Sequence, residues 1–183
     1  LPRELGFVNE VVDKGMLKSL VARCHKLLGS QATATVLDNL KSLGFHFATQ
    51  SGITIAMDDI AVPAIKPEIL KKADERIALV DSQYQKGLIT EEERYSQAVQ
   101  VWTETNDNFK QIIQDQMDRY GGVYMMATSG AKGNIAQIHQ MVGMRGLMTD
   151  PAGRIIDFPI RSSFKEGLTV LDYFISTHGA RKG

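Results

Sequence analysis

The sequence predicts a mainly α-helical fold with minor short β structure, in which a helical hairpin projects from a small mixed body. Apolar residues recur three and four positions apart over most of the 183 residues, which is the period of a helix with one buried face. Two of these runs are long and adjoin at a single glycine. Alternation with a period of two is confined to short stretches. We therefore expect three parts: a helical and strand body at 1–63, an antiparallel hairpin at 64–120, and a mixed segment at 121–183.

Two short helices are predicted in the first part. Asp13 is placed to cap the first helix, whose apolar face runs to Leu28 and stops at Gly29. A second amphipathic helix covers about 32–43 and stops at Gly44.

A half-buried strand is predicted next, because apolar residues alternate there with smaller or polar ones: Ile53, Ile55 and Met57. The carboxylate pair Asp58 and Asp59 follows it. Adjacent strand residues point to opposite faces, so the two would not share a metal ion or a proton. A loop or a helix cap is the favoured interpretation.

The strongest helical signal lies in the second part, from Glu68 to about Lys86, where Gly87 interrupts it. Thr90 and Glu93 then form a capping box at the start of a helix whose apolar positions continue to Tyr120. Two such helices must run antiparallel for their apolar faces to meet, giving a hairpin about 30 Å long at 1.5 Å per residue. Its tip is a candidate docking site for a regulator: Gln85, Lys86, Gly87, Leu88, Ile89 and Thr90. A solvated hairpin without a partner is the alternative.

The third part changes in composition. A stretch rich in glycine and methionine leads to a helix near Asn134, a turn at 150–153 and a short strand at 155–160. A last helix is predicted to begin near Lys165 and Glu166. It reaches the end of the sequence without a stop signal, which indicates a piece of a longer protein.

One segment suits an anion. In Ser129–Asn134, glycines before a helix let backbone amides approach a phosphate, and Lys132 adds a positive charge. The spacing is not that of a Walker A loop. The four histidines fall in separate segments, which disfavours a zinc site, and no nucleophile motif of a hydrolase occurs.

Charge and cysteine content restrict the class of protein. The formal net charge is zero, which argues against an autonomous, sequence-independent nucleic-acid binder. Cys24 lies on an apolar helical face and is predicted to be a buried small hydrophobe. No apolar run approaches the length of a membrane span, so we expect a soluble cytoplasmic protein without a membrane partner.

Several short sequence motifs resemble those of a known protein family. Residues 124–183 contain GMRGLM, KEGLT and YFISTHGARKG, and upstream come DKGMLKSLV, LGFHFATQSGITIAMDD and GLITEEERYSQAVQVW. In this order they resemble the largest subunit, beta-prime, of bacterial DNA-directed RNA polymerase, over essentially the whole chain.

The resemblance implies a role for each part. The hairpin corresponds to the rim helices of the secondary channel, which transcript-cleavage-type factors grip in that family, and 1–63 to the adjoining funnel region. Residues 129–148 resemble the F-loop region, where Lys132 stands in place of an arginine that approaches the nucleoside triphosphate. Residues from Leu168 onward resemble the start of the bridge helix, with matches at Phe174, His178, Gly179, Arg181, Lys182 and Gly183.

The resemblance also implies a function. The chain would be a fragment of a nucleotidyltransferase that synthesises RNA on a DNA template. Its expected partners are the beta, alpha, omega and sigma subunits, DNA, RNA and ribonucleotides. The expected location is the cytoplasm, in association with the nucleoid. The catalytic aspartates are missing from this segment, so the fragment alone is expected to be inactive. No cofactor is expected here, and Mg²⁺ belongs to the parent enzyme. The alternative is a stand-alone helical transcription-regulatory binding protein with a polymerase-like surface.

Overall fold

The computed structural model describes residues 1–118 and 120–182, with the side chains of 178–182 left out. The described chain contains six α-helices, listed in order: α1 Lys14–Ser51, α2 Lys66–Gln85, α3 Glu91–Gln116, α4 Gly122–Ser129, α5 Ile135–Val142 and α6 Val170–Lys182. Its β structure consists of two isolated antiparallel bridges, Gly146 with Ile160 and Thr149 with Ile155. The predicted class, mainly α with minor short β, is confirmed.

The chain forms two compact units. The first contains residues 1–59 and 119–134, and the second contains residues 60–118 and 135–183. The hairpin thus shares its unit with most of the C-terminal segment. The division at 63 and 120 inferred from the sequence stays a prediction.

Helix α1 dominates the first unit. The Asp13 carboxylate accepts a hydrogen bond from the Met16 amide at 2.7 Å, which confirms the predicted cap. Gly29 interrupts the helix with φ 76° and ψ −179°, where the first stop was predicted. The predicted stop at Gly44 was wrong, since the helix continues to Ser51 and ends at left-handed Gly52. A glycine inside a helix weakens it by about 1 kcal/mol but does not break it. Cys24 is buried, as expected.

The predicted strand at 53–57 was also wrong. Residues 53–56 are irregular and a 3-10 turn covers Met57–Asp59. The segment lies against the start of α4, where a Cβ on Gly122 would come within 2.8 Å of the Thr54 carbonyl oxygen. Alternation alone cannot make a strand, because a strand needs a neighbour to pair with. The Asp59 carboxylate accepts a hydrogen bond from the Ala56 amide at 2.6 Å, so it caps the turn.

In the second unit, α2 and α3 form the predicted hairpin around one apolar core: Ile69, Ala73, Val101, Trp102, Phe109 and Met144. The Thr90 and Glu93 capping box is present in full. Helix α3 ends at Gln116, four residues before its predicted end, and Tyr120 is 87% exposed. The last buried residue of α3 is Ile113, and burial of apolar side chains is what offsets the entropy of fixing further residues in a helix.

The C-terminal elements agree in part with expectation. Helix α5 begins at Ile135, as predicted near Asn134, whereas α4 was missed. Helix α6 begins at Val170, later than the predicted start near Lys165 and Glu166. Gly167 has φ 88°, which a helix cannot accommodate, and the new helix is capped two residues later by Thr169.

Candidate functional site

The hairpin tip begins where α2 ends in a standard C-terminal capping motif. The Gly87 amide donates to the Tyr84 carbonyl at 2.9 Å and the Leu88 amide donates to the Gln83 carbonyl at 3.0 Å. With φ 70° at Gly87, this is a Schellman motif. It closes the end of α2 and turns the next side chain outward, so that Leu88 is 71% exposed. Among the predicted docking residues Ile89 is half-buried and the other five are exposed.

Acidic side chains and one arginine flank the tip. Helix α3 opens with Glu91, Glu92 and Glu93 in its first turn. The Arg94 guanidinium donates to Glu91 at 2.8 Å and to Asp157 at 3.0 Å. Hydrogen bonds from Arg94 and Tyr84 hold the pKa of the Glu91 carboxyl below its usual value. The tip therefore presents an apolar side chain beside the carboxylates of the first turn of α3.

Residues 145–161, here called the strap, lie along the hairpin. The Tyr95 hydroxyl donates to the Ile155 carbonyl at 2.9 Å, and the Arg154 guanidinium sits 4.5 Å from the centre of the Tyr95 ring. Farther along, Arg161 pairs with Asp74 at 2.7 Å and lies 5.1 Å from the Trp102 ring. These contacts brace the two helices while leaving the tip open.

The base of the hairpin is fixed by a buried lysine. Lys66, the first residue of α2, is 5% exposed, and its ammonium donates to the Gly143 carbonyl at 2.5 Å and to Glu166. The same carboxylate oxygen of Glu166 accepts from the Ser163 amide at 2.8 Å and the Ser163 hydroxyl at 2.7 Å. Burial alone would raise the pKa of Glu166, but the hydrogen bonds from Lys66 and Ser163 lower it overall. We call Lys66, Gly143, Ser163 and Glu166 the base cluster.

His139 lies beside this cluster, on α5. It is 2% exposed, its ring centre is 6.4 Å from that of Phe109, and its Nε2 is buried without a hydrogen-bond partner among the described residues. Burial, aided by the charge of Lys110, lowers the pKa of His139 to about 4. The ring is therefore neutral at physiological pH and serves as packing.

Lys132 occupies an exposed bend between α4 and α5. Gly130 and Gly133 on either side have φ 74° and 77°. A Cβ on Gly130 would lie 3.1 Å from the Cβ of Lys14, so the glycine allows this loop to pass close to the start of α1. The exposed Lys132 therefore lies between two glycines whose positive φ angles are unfavourable for other residues. Its contact with a triphosphate stays a prediction.

The start of α6 is capped from both sides. The Thr169 amide donates to the Asp172 carboxylate at 3.1 Å, and the Asp172 amide donates to the Thr169 hydroxyl at 3.1 Å. Phe174 is 62% exposed, and other large apolar or aromatic residues of this helix are exposed as well: Val170, Leu171 and Tyr173. The predicted bridge-helix residues His178, Gly179, Arg181 and Lys182 lie in α6, with side chains outside the description. Gly183 lies outside the described residues.

Within residues 1–118 and 120–182, no group of three or more His, Cys, Asp or Glu could hold a metal ion. In the same part of the chain, no helix has an apolar stretch long enough to cross a bilayer.

No role in a site was predicted from the sequence for Lys66, Glu166 or Arg94. A usable signal existed for Lys66, because it lies three residues before Ile69 and seven before Ala73, on the apolar face of α2. A lysine on such a face requires a buried partner. The identity of that partner, 100 residues away, is not readable from spacing.

Comparisons with known proteins cover the chain. The family model described as RNA polymerase Rpb1, domain 4, matches residues 74–174, and the one described as RNA polymerase Rpb1, domain 3, matches residues 5–60. The beta' subunit of DNA-directed RNA polymerase from Dehalococcoides mccartyi (strain ATCC BAA-2266 / KCTC 15142 / 195) is 57% identical over all 183 residues. The corresponding subunit of Moorella thermoacetica is 54% identical and that of Heliobacterium modesticaldum 53%, again over the whole chain. The chain spans 14% of the first relative and 16% of the other two.

Proposed function

The chain belongs to the RNA polymerase Rpb1 family and is a fragment of a beta' subunit, and on that premise we propose that it works inside a DNA-directed RNA polymerase. The proposed activity of the whole enzyme is the addition of ribonucleotides to RNA on a DNA template. The observation that carries the proposal is the match of the entire chain to beta' subunits at 51–57% identity. A stand-alone regulatory binding protein is less supported, because the reported relatives match through both compact units rather than over one surface.

For the hairpin we propose the role of rim helices at the entrance of the secondary channel. Its core is formed by the hairpin and Met144, with Leu147 of the strap packed against it, so the fold does not need a partner at the tip. The exposed Leu88 and the carboxylates of α3 then serve as a docking site for transcript-cleavage-type factors. Omega, alpha, beta and sigma subunits are the proposed partners elsewhere in the assembly.

For Lys132 we propose a contact to the incoming nucleoside triphosphate. Its exposure and the flanking glycines allow a phosphate to approach both the ammonium and the loop amides. Lysine supplies one point charge, where arginine would supply a planar fork. Helix α6 is proposed as the start of the bridge helix, whose exposed apolar residues pack in the assembled enzyme.

The proposal is tested with polymerase assembled from full-length subunits, with Lys132→Ala in the largest subunit and Lys18→Ala as a matched control on exposed α1. Loss of a charged hydrogen bond to phosphate should raise the KM for ribonucleotides roughly 10-fold or more, with Lys132→Arg close to wild type. Unchanged KM values in Lys132→Ala would contradict the phosphate contact. If the polymerase assembled from wild-type subunits incorporates no ribonucleotides on a DNA template, the proposed function itself is contradicted.

A further inference from the structure

The base cluster connects three segments that are far apart in sequence. Lys66 opens α2 and thus the hairpin, Gly143 directly follows α5, and Glu166 lies in the turn that leads to α6. The Lys66 to Gly143 bond spans 77 residues and the Lys66 to Glu166 bond spans 100. An ammonium has three donors in a compact head, so one buried lysine can hold two segments against the helix that carries it.

The cluster is connected onward to the first turn of α6. Glu166 holds both the amide and the hydroxyl of Ser163, a residue with no exposed surface. The neighbouring Ser162 hydroxyl donates to the Asp172 carboxylate at 3.4 Å, and that carboxylate caps α6 through Thr169. Hydrogen bonds therefore link the first residue of the hairpin to Ser163, and those of Ser162, its neighbour along the backbone, lead on to the cap of α6.

We propose that Lys66 is a positioning residue that fixes the start of α6 relative to the base of the hairpin by holding Gly143 and the 163–169 turn together. The assignment rests on geometry. Lys66 lies on the apolar face of α2 and is 5% exposed, and its ammonium donates to Gly143 before the strap and to Glu166 after it. Without the ammonium, the Glu166 carboxylate and the Gly143 carbonyl lose their shared donor. The turn before α6 then keeps its backbone hydrogen bonds to α5 but loses its side-chain connection to α2. The consequence for nucleotide addition rests on the proposed function above.

A positioning role and a purely stabilising role of Lys66 predict different regions of increased hydrogen exchange when the lysine is replaced. If Lys66 positions α6, its loss should act on residues 163–176 and spare the tip half of the hairpin, whose contacts come from Arg94, Tyr95 and the strap. A purely structural role would loosen the whole second unit, including the Trp102 and Phe109 core. Local hydrogen exchange separates these cases.

The experiment uses polymerase assembled with the full-length largest subunit carrying Lys66→Met, with Lys72→Met as the matched control. Lys72 lies on the same helix, its side chain is 71% exposed and it pairs with Glu68. In Lys66→Met, amide exchange in 163–176 should accelerate roughly 10-fold or more while exchange in 84–102 is unchanged. Glu166→Gln should add little in the Lys66→Met background, because the two changes break the same bond.

Activity provides the second readout. Lys66→Met should lower kcat for nucleotide addition several-fold with KM for ribonucleotides unchanged, since Lys66 is placed to orient α6 and does not touch substrate. Unchanged exchange in 163–176, or acceleration spread over the entire second unit, would overturn the inference. Failure of the wild-type assembly to make RNA would refute the proposed function instead, and the exchange measurement would still decide the role of Lys66.

Discussion

The ammonium of Lys66 donates a hydrogen bond to the carboxylate of Glu166, a residue 100 positions later in the chain. The lysine side chain is 6% exposed and the glutamate side chain 36%. Removing one partner of such a pair leaves the other charge and the Gly143 carbonyl without their donor, which is more damaging than the loss of a surface ion pair.

The first prediction concerns this pair. Lys66→Met in the purified chain should lower the free energy of unfolding by roughly 2–3 kcal/mol, below the value for a fully buried pair because Glu166 is partly exposed. Lys72→Met, at an exposed site, should change it by less than about 0.5 kcal/mol. Urea denaturation followed by circular dichroism measures both. Equal effects of the two substitutions would contradict the burial argument.

The second prediction concerns the hairpin core. Phe109 has no exposed surface and contacts both the α2–α3 seam and His139. Phe109→Ala should destabilise the second unit by roughly 3–5 kcal/mol through lost burial and the cavity left behind. Leu79→Ala, at a position 66% exposed, is the control and should stay within about 0.5 kcal/mol. The same denaturation assay decides, and a loss below 1 kcal/mol for Phe109→Ala would be inconsistent with this core.

The third prediction compares two glycines with opposite expected signs. Gly87 has φ 70° at the tip, so Gly87→Ala should destabilise the chain by about 1 kcal/mol. Gly44 is inside α1 with open space around its Cα, so Gly44→Ala should stabilise by roughly 0.5–1 kcal/mol. Thermal unfolding of the two variants measures the difference. The same sign for both would contradict either the tip geometry or the uninterrupted helix through Gly44.

The fourth prediction is a pH dependence from His139. Its pKa is about 4 in the folded chain because of burial, against about 6.5 for an unperturbed histidine. Between these values the unfolded chain binds a proton that the folded chain does not, so stability falls as pH drops through this window, by roughly 3 kcal/mol in all. His139→Leu should flatten the slope of the unfolding free energy between pH 5 and 7, measured by denaturation at a series of pH values. A wild-type slope in His139→Leu would refute the assignment.

Local signals in the sequence were sufficient for much of the fold. The Asp13 cap and the Thr90 capping box each depend on residues within one turn of each other, and the apolar faces of α2 and α3 each repeat within one helix, so spacing alone identified them. Predictions failed where the outcome depended on tertiary contacts or on the backbone conformation of one glycine. The 53–57 segment alternates like a strand but pairs with no strand among the described residues, and α6 starts late because Gly167 takes φ 88°.

In the candidate site, too, features set by local sequence were predicted and features that depend on distant groups were not. The exposed tip followed from the position of Gly87, and the structure confirms the exposure of Leu88. Its docking role, the contact of Lys132 with phosphate and the bridge-helix role of α6 stay predictions, because they depend on groups outside this chain. The base cluster was not foreseen, since pairing across 77 and 100 residues is a property of the tertiary structure.

The most direct test of the central claim is to fractionate a native extract of cells that encode the chain. Fractions are probed with an antibody raised against it and assayed for DNA-templated ribonucleotide incorporation. We expect the antigen on a polypeptide much larger than 20.3 kDa that co-purifies with the activity. A free species near 20.3 kDa, separated from all polymerase activity, would contradict the claim.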